Sequence, residues 1–132
     1  MGATLPAMFE IAVEAEFSAA HALTSAGGTE SVHGHNWLVR AVVAGERLDE
    51  FGLLCDFQTV REVLEEIVGP WRNRNLNEAV EFAGQSPTAE RMAVVVAEAL
   101  ASRLDEAIRP QARVASVRVR EAPGCEATYV RP

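Results

Sequence analysis

The sequence predicts an α+β fold: one four-stranded antiparallel sheet with two helices on one face. Three observations predict it. Segments with strand-like apolar patterns lie near both ends of the chain, two segments with helical periodicity lie between them, and short loops let consecutive strands pair antiparallel. The chain has 132 residues, of which 48% are hydrophobic, so we expect one domain over residues 1–132.

The first strand is predicted over residues 9–21, where apolar and polar side chains alternate. One face of this segment carries Phe9, Ile11, Val13, Ala15, Phe17, Ala19 and His21. Because successive side chains of a strand point to opposite faces, the pattern is typical of a half-buried strand with His21 at the end of the buried face. The glycine- and serine-rich residues 22–32 then predict a loop.

The second strand is predicted from His35 to Ala44. This segment is apolar at both odd and even positions except for Arg40, which indicates a strand that is covered on both faces. Helices on one side of a single sheet cover only one of these faces. We therefore expect a barrel or a subunit contact to cover the other face, and hence an oligomer.

Two amphipathic helices follow. The apolar residues of the first recur at i, i+3, i+4, i+7 and i+8, namely Val60, Val63, Leu64, Ile67 and Val68. Asp56 is placed to cap its start, and Gly69-Pro70 to end it. For the second helix, Ser86 is predicted as the N-cap and Pro87 as the first helical residue. Its apolar stripe is Met92, Val96, Leu100 and Leu104.

Two short strands are predicted at residues 113–121 and 125–131, with a turn at Pro123-Gly124. Glu121 ends the apolar face of the first of these strands, because it shares its parity with Ala115, Val117 and Val119. A carboxylate in that position is partly desolvated and needs a partner. An ordinary salt bridge is one solution, and the arginines near in sequence are Arg118, Arg120 and Arg131.

The charge composition excludes several classes of function. Twelve basic residues against nineteen acidic ones give a net charge of −7, which argues against binding nucleic acid or an anionic membrane. All twelve are arginines, so Schiff-base and P-loop chemistry are excluded. No basic segment precedes an apolar run, and no apolar run is long enough for a membrane span. Cys55 and Cys125 form no disulfide pattern, so we expect structural thiols in a cytoplasmic protein.

The three histidines have a spacing that suggests a metal site. His33 and His35 are two residues apart and point the same way in an extended segment, and His21 ends the preceding strand. A hairpin of this kind can bring three imidazoles to one point, which is the ligand set of a catalytic zinc site with one open position. The alternative is that these histidines are hydrogen-bonded residues of the core.

Several motifs resemble a known family. In order, they are F-S-A-A-H-A-L at 17–23, H-G-H-N-W at 33–37, G-L-L-C-D-F at 52–57, L-N at 76–77, P-T-A-E at 87–90 and V-R-V-R-E at 117–121. Over residues 9–130 the chain resembles the 6-pyruvoyl-tetrahydropterin and 6-carboxy-tetrahydropterin synthases. H-G-H-N with the upstream A-A-H is the most specific part of this resemblance.

The resemblance implies a tunnelling fold (T-fold), in which the sheets of several subunits join into an oligomeric barrel, usually a homohexamer built as a dimer of trimers. A reduced pterin derived from dihydroneopterin triphosphate would bind between subunits. His21, His33 and His35 match the zinc ligands of the family. Glu121 matches the carboxylate that grips the pterin ring, whose adjacent N–H donors it would accept in place of a salt bridge. Thr88 and Glu90 match further residues of the pterin pocket.

The chain departs from the family at its proton-transfer groups. Thr29 stands where the queuosine-type enzymes carry a cysteine, and Arg72 and Asn73 stand in place of an Asp-His pair. With all three histidines used as ligands, none remains for acid–base work. Each lost group typically contributes ~10²–10⁴-fold to a rate, so we expect the ordinary synthase reaction to be impaired by several orders of magnitude.

Three functions therefore stay open. The first is binding of a reduced pterin or a similar heterocycle without turnover. The second is a zinc-dependent lyase acting on dihydroneopterin triphosphate with Glu30, three residues before His33, as the general base; a subgroup of the family with a glutamate near this place forms 6-hydroxymethyl-dihydropterin. The alternative to this general-base role is that Glu30 is an ordinary solvated loop carboxylate. The third function is a non-catalytic structural assembly protein.

Overall fold

A computed structural model describes residues 8–132 of the chain. The strands are β1 (Phe9–His21), β2 (Thr24–Ser25), β3 (Gly28–Thr29), β4 (His33–Gly45), β5 (Arg113–Ala122) and β6 (Cys125–Val130). The helices are α1 (Phe57–Val68) and α2 (Ala89–Ile108), with short 3-10 turns between them at Gly69–Trp71, Leu76–Glu78 and Val80–Phe82. Within residues 8–132, no helix has the length and hydropathy needed to span a membrane.

The main sheet has the strand order β1-β4-β5-β6, and every neighbouring pair is antiparallel. Helix α1 packs on β1, and helix α2 packs on β5 and β6. This arrangement confirms the predicted α+β fold of four antiparallel strands and two helices. The segment 22–32, predicted as a loop, in addition contains the small hairpin of β2 and β3.

The hydrophobic core lies between the helices and one face of the sheet. Its strand residues include Val13, Ala15, Phe17, Trp37, Val39, Val43, Val117 and Val119, and its helix residues include Leu64, Val68, Met92, Val96 and Leu100. Burial of each large side chain of this kind contributes roughly 1.5–3 kcal/mol. His21 ends this core face of β1, and among residues 8–132 it is the one polar side chain that is fully buried.

The second strand differs from its prediction in length and in cover. β4 begins at His33 rather than at His35, because His33 pairs with His21 across the hairpin. Trp37 is fully buried in the core, whereas its neighbour Leu38 and the next even-numbered residue, Arg40, are only half buried. Within the described part of the chain, the two faces of β4 are therefore not equally covered at these positions.

The predicted start of α1 is confirmed, and that of α2 is wrong. Asp56 caps α1 by accepting a hydrogen bond from the amide of Gln58 at 3.0 Å. For α2 the cap is Thr88, whose hydroxyl oxygen accepts from the Arg91 amide at 3.1 Å, so Pro87 lies outside the helix. Ser86 is not the cap because its hydroxyl bonds the backbone of Thr24 instead.

Two irregularities in β5 change which side chains face the core. The register between β4 and β5 shifts beside Val42/Val43, so that Val114 is buried and Ala115, which the alternation placed on the buried face, is half buried. A second shift, between Arg120 and Ala122, leaves Glu121 as an extra residue relative to β6. Such bulges bend a strand locally and redirect a side chain.

The end of β4 packs closely on the chain that enters β5. A Cβ atom on Gly45 would lie 2.2 Å from the carbonyl oxygen of Gln111 and 2.8 Å from a methyl carbon of Leu54. Real Cβ atoms do not come so near to other heavy atoms, so this position accepts only glycine without a backbone shift.

Candidate metal centre and adjoining clefts

The β1–β4 hairpin brings the three histidines together. His21 is paired with His33 in the antiparallel register, and His35 lies two residues further along β4, opposite Ala19. One ring nitrogen of each histidine lies within 4.8 Å of those of the other two. The pattern of His21 at a strand end facing an H-x-H pair thus gives the convergence that the spacing predicts.

Hydrogen bonds to backbone carbonyls fix the tautomers of two of these rings. Nδ1 of His21 lies 2.9 Å from the carbonyl oxygen of Pro87, and Nδ1 of His33 lies 2.9 Å from that of Ser31. Because a carbonyl oxygen can only accept, both Nδ1 atoms carry the proton, and in a neutral ring Nε2 is then an acceptor. Such second-shell bonds are typical of histidines that bind a metal through Nε2.

The Nε2 atoms of the three histidines bring their lone pairs close together. The Nε2 atoms of His21 and His33 are 3.1 Å apart, although neither has a proton to share. The Nε2 atom of His35 is buried and has no hydrogen-bond partner among residues 8–132. A cation between the three rings would satisfy all of these atoms, and three imidazole nitrogens are a ligand set that suits zinc. The residues present therefore fit a metal ion.

The environment of His35 favours its neutral form. Burial has the largest effect and lowers the pKa of His35. The Glu121 carboxylate raises this pKa, whereas the neighbouring His21 and His33 lower it further. Neutral imidazole is the form that binds metals, because the ligand atom must be unprotonated.

Glu121 faces the histidines rather than an arginine. Its Oε1 lies 3.3 Å from Nε2 of His21 and 4.0 Å from Nε2 of His35, and its side chain is 29% exposed. The salt bridge considered from the sequence is not formed within the described part of the chain, where Arg118 pairs with Glu126 and Arg131 pairs with acidic residues of α2. Glu121 shares its parity with the buried Val117 and Val119, so its side chain lies on the core face of the sheet, where His21 also lies.

Glu30 lies beside the centre and also has a structural contact. Its Oε1 accepts from the amide of Leu23 at 3.0 Å and lies 3.7 Å from Nε2 of His33. The Glu30 amide in turn donates to the carbonyl of Leu23 at 3.0 Å. Glu30 is thus an exposed loop carboxylate that also accepts a hydrogen bond within the loop between β1 and β4 and lies beside His33.

Thr88, Glu90 and Glu121 line one cleft of about 390 Å³. We call it the acidic cleft; its lining residues are Leu23, Thr88–Glu90, Glu121 and Cys125–Ala127. Three carboxylates and the Thr88 hydroxyl face this space, and none of its lining residues is basic. Because Glu121 both lines the cleft and lies next to His21, the acidic cleft adjoins the metal centre.

Thr29, Arg72 and Asn73, which the sequence predicts at the positions of the proton-transfer groups, have the following surroundings. The Thr29 hydroxyl shares a hydrogen bond with that of Thr24 at 2.9 Å. Arg72 donates to the carbonyl of Glu16 and forms an ion pair with Glu65. Asn73 has a left-handed backbone with φ of 57°, a conformation that asparagine tolerates better than most residues.

A second cleft, of about 490 Å³, was not predicted from the sequence; His35 is among its lining residues. We call it the amide cleft; it is lined by Ser18–Ala20, Gly34–Asn36 and Asn73–Asn75. The only sequence signal was the polar run Asn73-Arg74-Asn75, whose place in the fold depends on long-range contacts. A larger cavity of about 820 Å³, lined by residues such as Arg47 and Arg113, contains none of the predicted site residues.

Comparison with known proteins gives one family. The model of the family described as 6-pyruvoyl tetrahydropterin synthase matches residues 10–132. A 6-carboxy-5,6,7,8-tetrahydropterin synthase of Bacillus subtilis (strain 168) is 30% identical over 130 residues, which is 94% of this chain and 86% of that protein. A dihydroneopterin monophosphate aldolase of Pyrococcus furiosus is 32% identical over 94 residues, which is 71% of this chain and 76% of that protein.

Solved structures share the fold. The 6-pyruvoyl tetrahydropterin synthase of Caenorhabditis elegans superposes with a TM-score of 0.78 at 23% identity, covering 96% of this chain and 98% of that one. The order of four antiparallel strands and two helices described above is thus the architecture of this structural group.

Proposed function

The chain belongs to the 6-pyruvoyl tetrahydropterin synthase family, and from this premise we propose that it binds a reduced pterin or a similar heterocycle beside a zinc ion. The observation that carries the proposal is the convergence of three histidine nitrogens and the Glu121 carboxylate at the acidic cleft. The matching of Glu121 to the pterin-gripping residue of the family supports it.

His21, His33 and His35 would hold the zinc ion through Nε2. The carbonyls of Pro87 and Ser31 support this role, because they keep two of the rings in the required tautomer. When bound, zinc would supply a Lewis acid that polarises an oxygen of the ligand. Three protein ligands leave an open position for that oxygen.

Glu121 would bind the pterin ring in the acidic cleft. The 2-amino-4-oxo edge of a pterin presents adjacent N–H donors, which one carboxylate accepts as a pair of short hydrogen bonds. Thr88 and Glu90 line the same cleft and offer further acceptors. A cleft without basic lining residues suits a ring that is rich in donors.

The same residues argue against efficient turnover as a synthase. The hydroxyl of Thr29 and the amide of Asn73 do not titrate near neutrality, and the Arg72 guanidinium stays protonated. Thr29 and Arg72 are already engaged in structural contacts, and the amide of Asn73, which lines the amide cleft, cannot transfer a proton. We infer that the ordinary synthase reaction is slowed by several orders of magnitude.

A second candidate function rests on the position of Glu30. Its carboxylate is 3.7 Å from the free nitrogen of His33, close enough to act as a general base on a ligand held there. The P. furiosus relative, an aldolase for dihydroneopterin monophosphate, favours a lyase that shortens the pterin side chain. In that function the base would take the proton of the 2′-hydroxyl of dihydroneopterin triphosphate and the C1′–C2′ bond would break. Protonation of C1′ would give 6-hydroxymethyl-dihydropterin, and C2′ and C3′ would leave as a two-carbon aldehyde that carries the triphosphate.

The proposal includes the assembly and location that the family implies. We propose a cytoplasmic homohexamer of two trimers, in which the sheets of neighbouring subunits join into a barrel. A purely structural assembly protein would need neither the histidine cluster nor the acidic cleft. This third function is therefore the alternative that the experiments must exclude.

Direct binding measurements test the proposal. In protein purified without chelator, we expect one zinc per chain by elemental analysis and loss of this zinc in His33→Ala. Calorimetric titration with neopterin should show binding that Glu121→Gln weakens by about tenfold or more, because charged hydrogen bonds are lost. Glu126→Gln is the matched control, since Glu126 lines the same cleft but pairs with Arg118.

The outcomes separate the three functions. Intact dihydroneopterin triphosphate with measurable affinity supports the binder. Formation of 6-hydroxymethyl-dihydropterin that is abolished in Glu30→Gln supports the lyase; this variant keeps a side-chain oxygen for the amide of Leu23. Absence of both zinc and pterin affinity would leave only the structural assembly protein.

A further inference from the structure

The amide cleft is built on an unusual addition to the sheet. The segment Asn73–Asn75 runs along the edge of β1, where the Asn73 amide donates to the carbonyl of Ser18 and the Ala20 amide donates to the carbonyl of Arg74. A parallel bridge between Ala20 and Asn75 continues this pairing. Backbone atoms therefore make the hydrogen bonds that join the segment to β1.

The side-chain oxygens of two asparagines in the cleft are already used as acceptors. Oδ1 of Asn36 accepts from the hydroxyl of Ser18 at 2.7 Å, and Oδ1 of Asn75 accepts from the amide of Asn77 at 3.0 Å. Each of these amide groups has two further N–H donors on Nδ2. Within residues 8–132, neither Nδ2 has a hydrogen-bond partner, and the side chain of Asn73 has none either.

The charge of the cleft has one sign. Arg74 is exposed, and its guanidinium forms no ion pair or hydrogen bond with any residue between 8 and 132. No aspartate or glutamate lines the cleft. Within residues 8–132, no acidic side chain neutralises Arg74, although the chain as a whole carries a net charge of −7.

We propose that the amide cleft is an anion-binding site for a phosphate or carboxylate group. Amide N–H groups and an arginine fork are the donors that recognise such oxyanions, and here the residues that carry them line one cleft of about 490 Å³. His35 is among the residues that line this space. The two clefts differ in sign: the acidic cleft takes donors, and the amide cleft takes acceptors.

The test uses the full chain with simple anions. ¹⁵N-labelled protein is titrated with sodium phosphate and, in a second arm, with sodium acetate, at constant ionic strength and neutral pH. We expect saturable shifts of the backbone amides of residues 18–20, 34–36 and 73–75. The anion that binds more tightly identifies the group that the cleft prefers.

Two variants and one control assign the effect to Arg74. Arg74→Ala should weaken the binding by about tenfold or more, and Arg74→Glu should abolish it, because a charged hydrogen bond is lost and then replaced by repulsion. Arg61→Ala is the matched control: Arg61 is exposed on α1 and has no ion pair among the described residues. The ¹⁵N spectra also report whether each variant is folded.

Shifts confined to other regions, or equal binding by Arg74→Ala and Arg61→Ala, would overturn the proposal, as would the absence of saturable shifts with both anions. The titration involves neither pterin nor zinc. A negative result in the pterin experiment therefore leaves this one valid, and the two proposals can fail separately.

Discussion

His21 lies where the hydrophobic core meets the candidate metal centre. Its ring is fully buried and packs edge to face on Trp37, with the ring centroids 5.0 Å apart. A buried polar group costs free energy unless it has a partner, and Nδ1 has one in the carbonyl of Pro87. The ring is thus held rigidly by the core while Nε2 stays directed at His33, which is the condition for a preformed ligand.

The positions of the three histidines could be predicted from the sequence, but the hydrogen bonds that orient their rings could not. The alternation in β1 and the H-x-H pair place His21, His33 and His35 on one face by period-two arithmetic. The carbonyl that fixes the His21 tautomer comes from Pro87, 66 residues later. No local pattern in the sequence reports a contact at that separation.

The two cysteines should differ in reactivity. Burial raises the pKa of Cys55, and the nearby Asp56 raises it further. At pH 8 a smaller fraction of Cys55 is therefore ionised to thiolate than of an ordinary cysteine. Cys125 is exposed at the start of β6. We expect iodoacetamide to alkylate Cys125 several times faster, as followed by peptide mass spectrometry. The two rates should converge in urea, and equal rates in the folded protein would contradict the prediction.

At the level of elements, the start of α2 shows where local signals compete. Ser86-Pro87 and Thr88 both match common helix starts, and residue types alone cannot rank them. The choice is made by β2, because Thr24 engages the hydroxyl of Ser86. Asp56 had no such competitor, and its predicted capping of α1 is confirmed.

Removing the cap of α2 should destabilise the fold. Thr88→Ala leaves the Arg91 amide without its acceptor, and we expect a loss of about 1 kcal/mol in the free energy of unfolding, measured by urea denaturation. Thr88→Ser keeps the oxygen and should retain most of the stability. A larger loss in Ser86→Ala than in Thr88→Ala would show that the cap is assigned wrongly.

The end of β4 should tolerate no side chain. Gly45→Ala places a methyl group against the Gln111 carbonyl, and we expect it to cost roughly 1–3 kcal/mol in the free energy of unfolding. Gly69→Ala is the matched control, because it has a helical backbone and nothing within 4 Å of the added atom. The same denaturation measurement compares them. Equal stability of the two variants would contradict the close approach at Gly45.

On the scale of the whole molecule, the architecture followed from periodicity, whereas the clefts did not. The strands and helices are set by the placement of apolar residues, which is a local property. The amide cleft exists because Asn73–Asn75 pairs with β1 more than fifty residues earlier in the chain. Its pairing is made by backbone atoms, which leave no mark on residue types.

Zinc should stabilise the entire fold, since the ligands come from both β1 and β4. At free zinc near 100 times the dissociation constant, we expect a gain of about 2.7 kcal/mol and a melting temperature higher by several degrees. Differential scanning calorimetry with and without EDTA measures this gain. Magnesium, which prefers oxygen ligands, is the control ion and should have no effect. An equal gain in His33→Ala would place the zinc elsewhere.

The pairing of His21 with His33 makes the three-imidazole cluster sensitive to strand alignment. A slip of one residue between β1 and β4 would turn His21 to the opposite side of the sheet and separate it from the other two rings. If the cluster binds zinc as proposed, only correctly aligned molecules take up the metal tightly. The metal content of a preparation would therefore report the fraction of chains that are correctly folded, without any assay of activity.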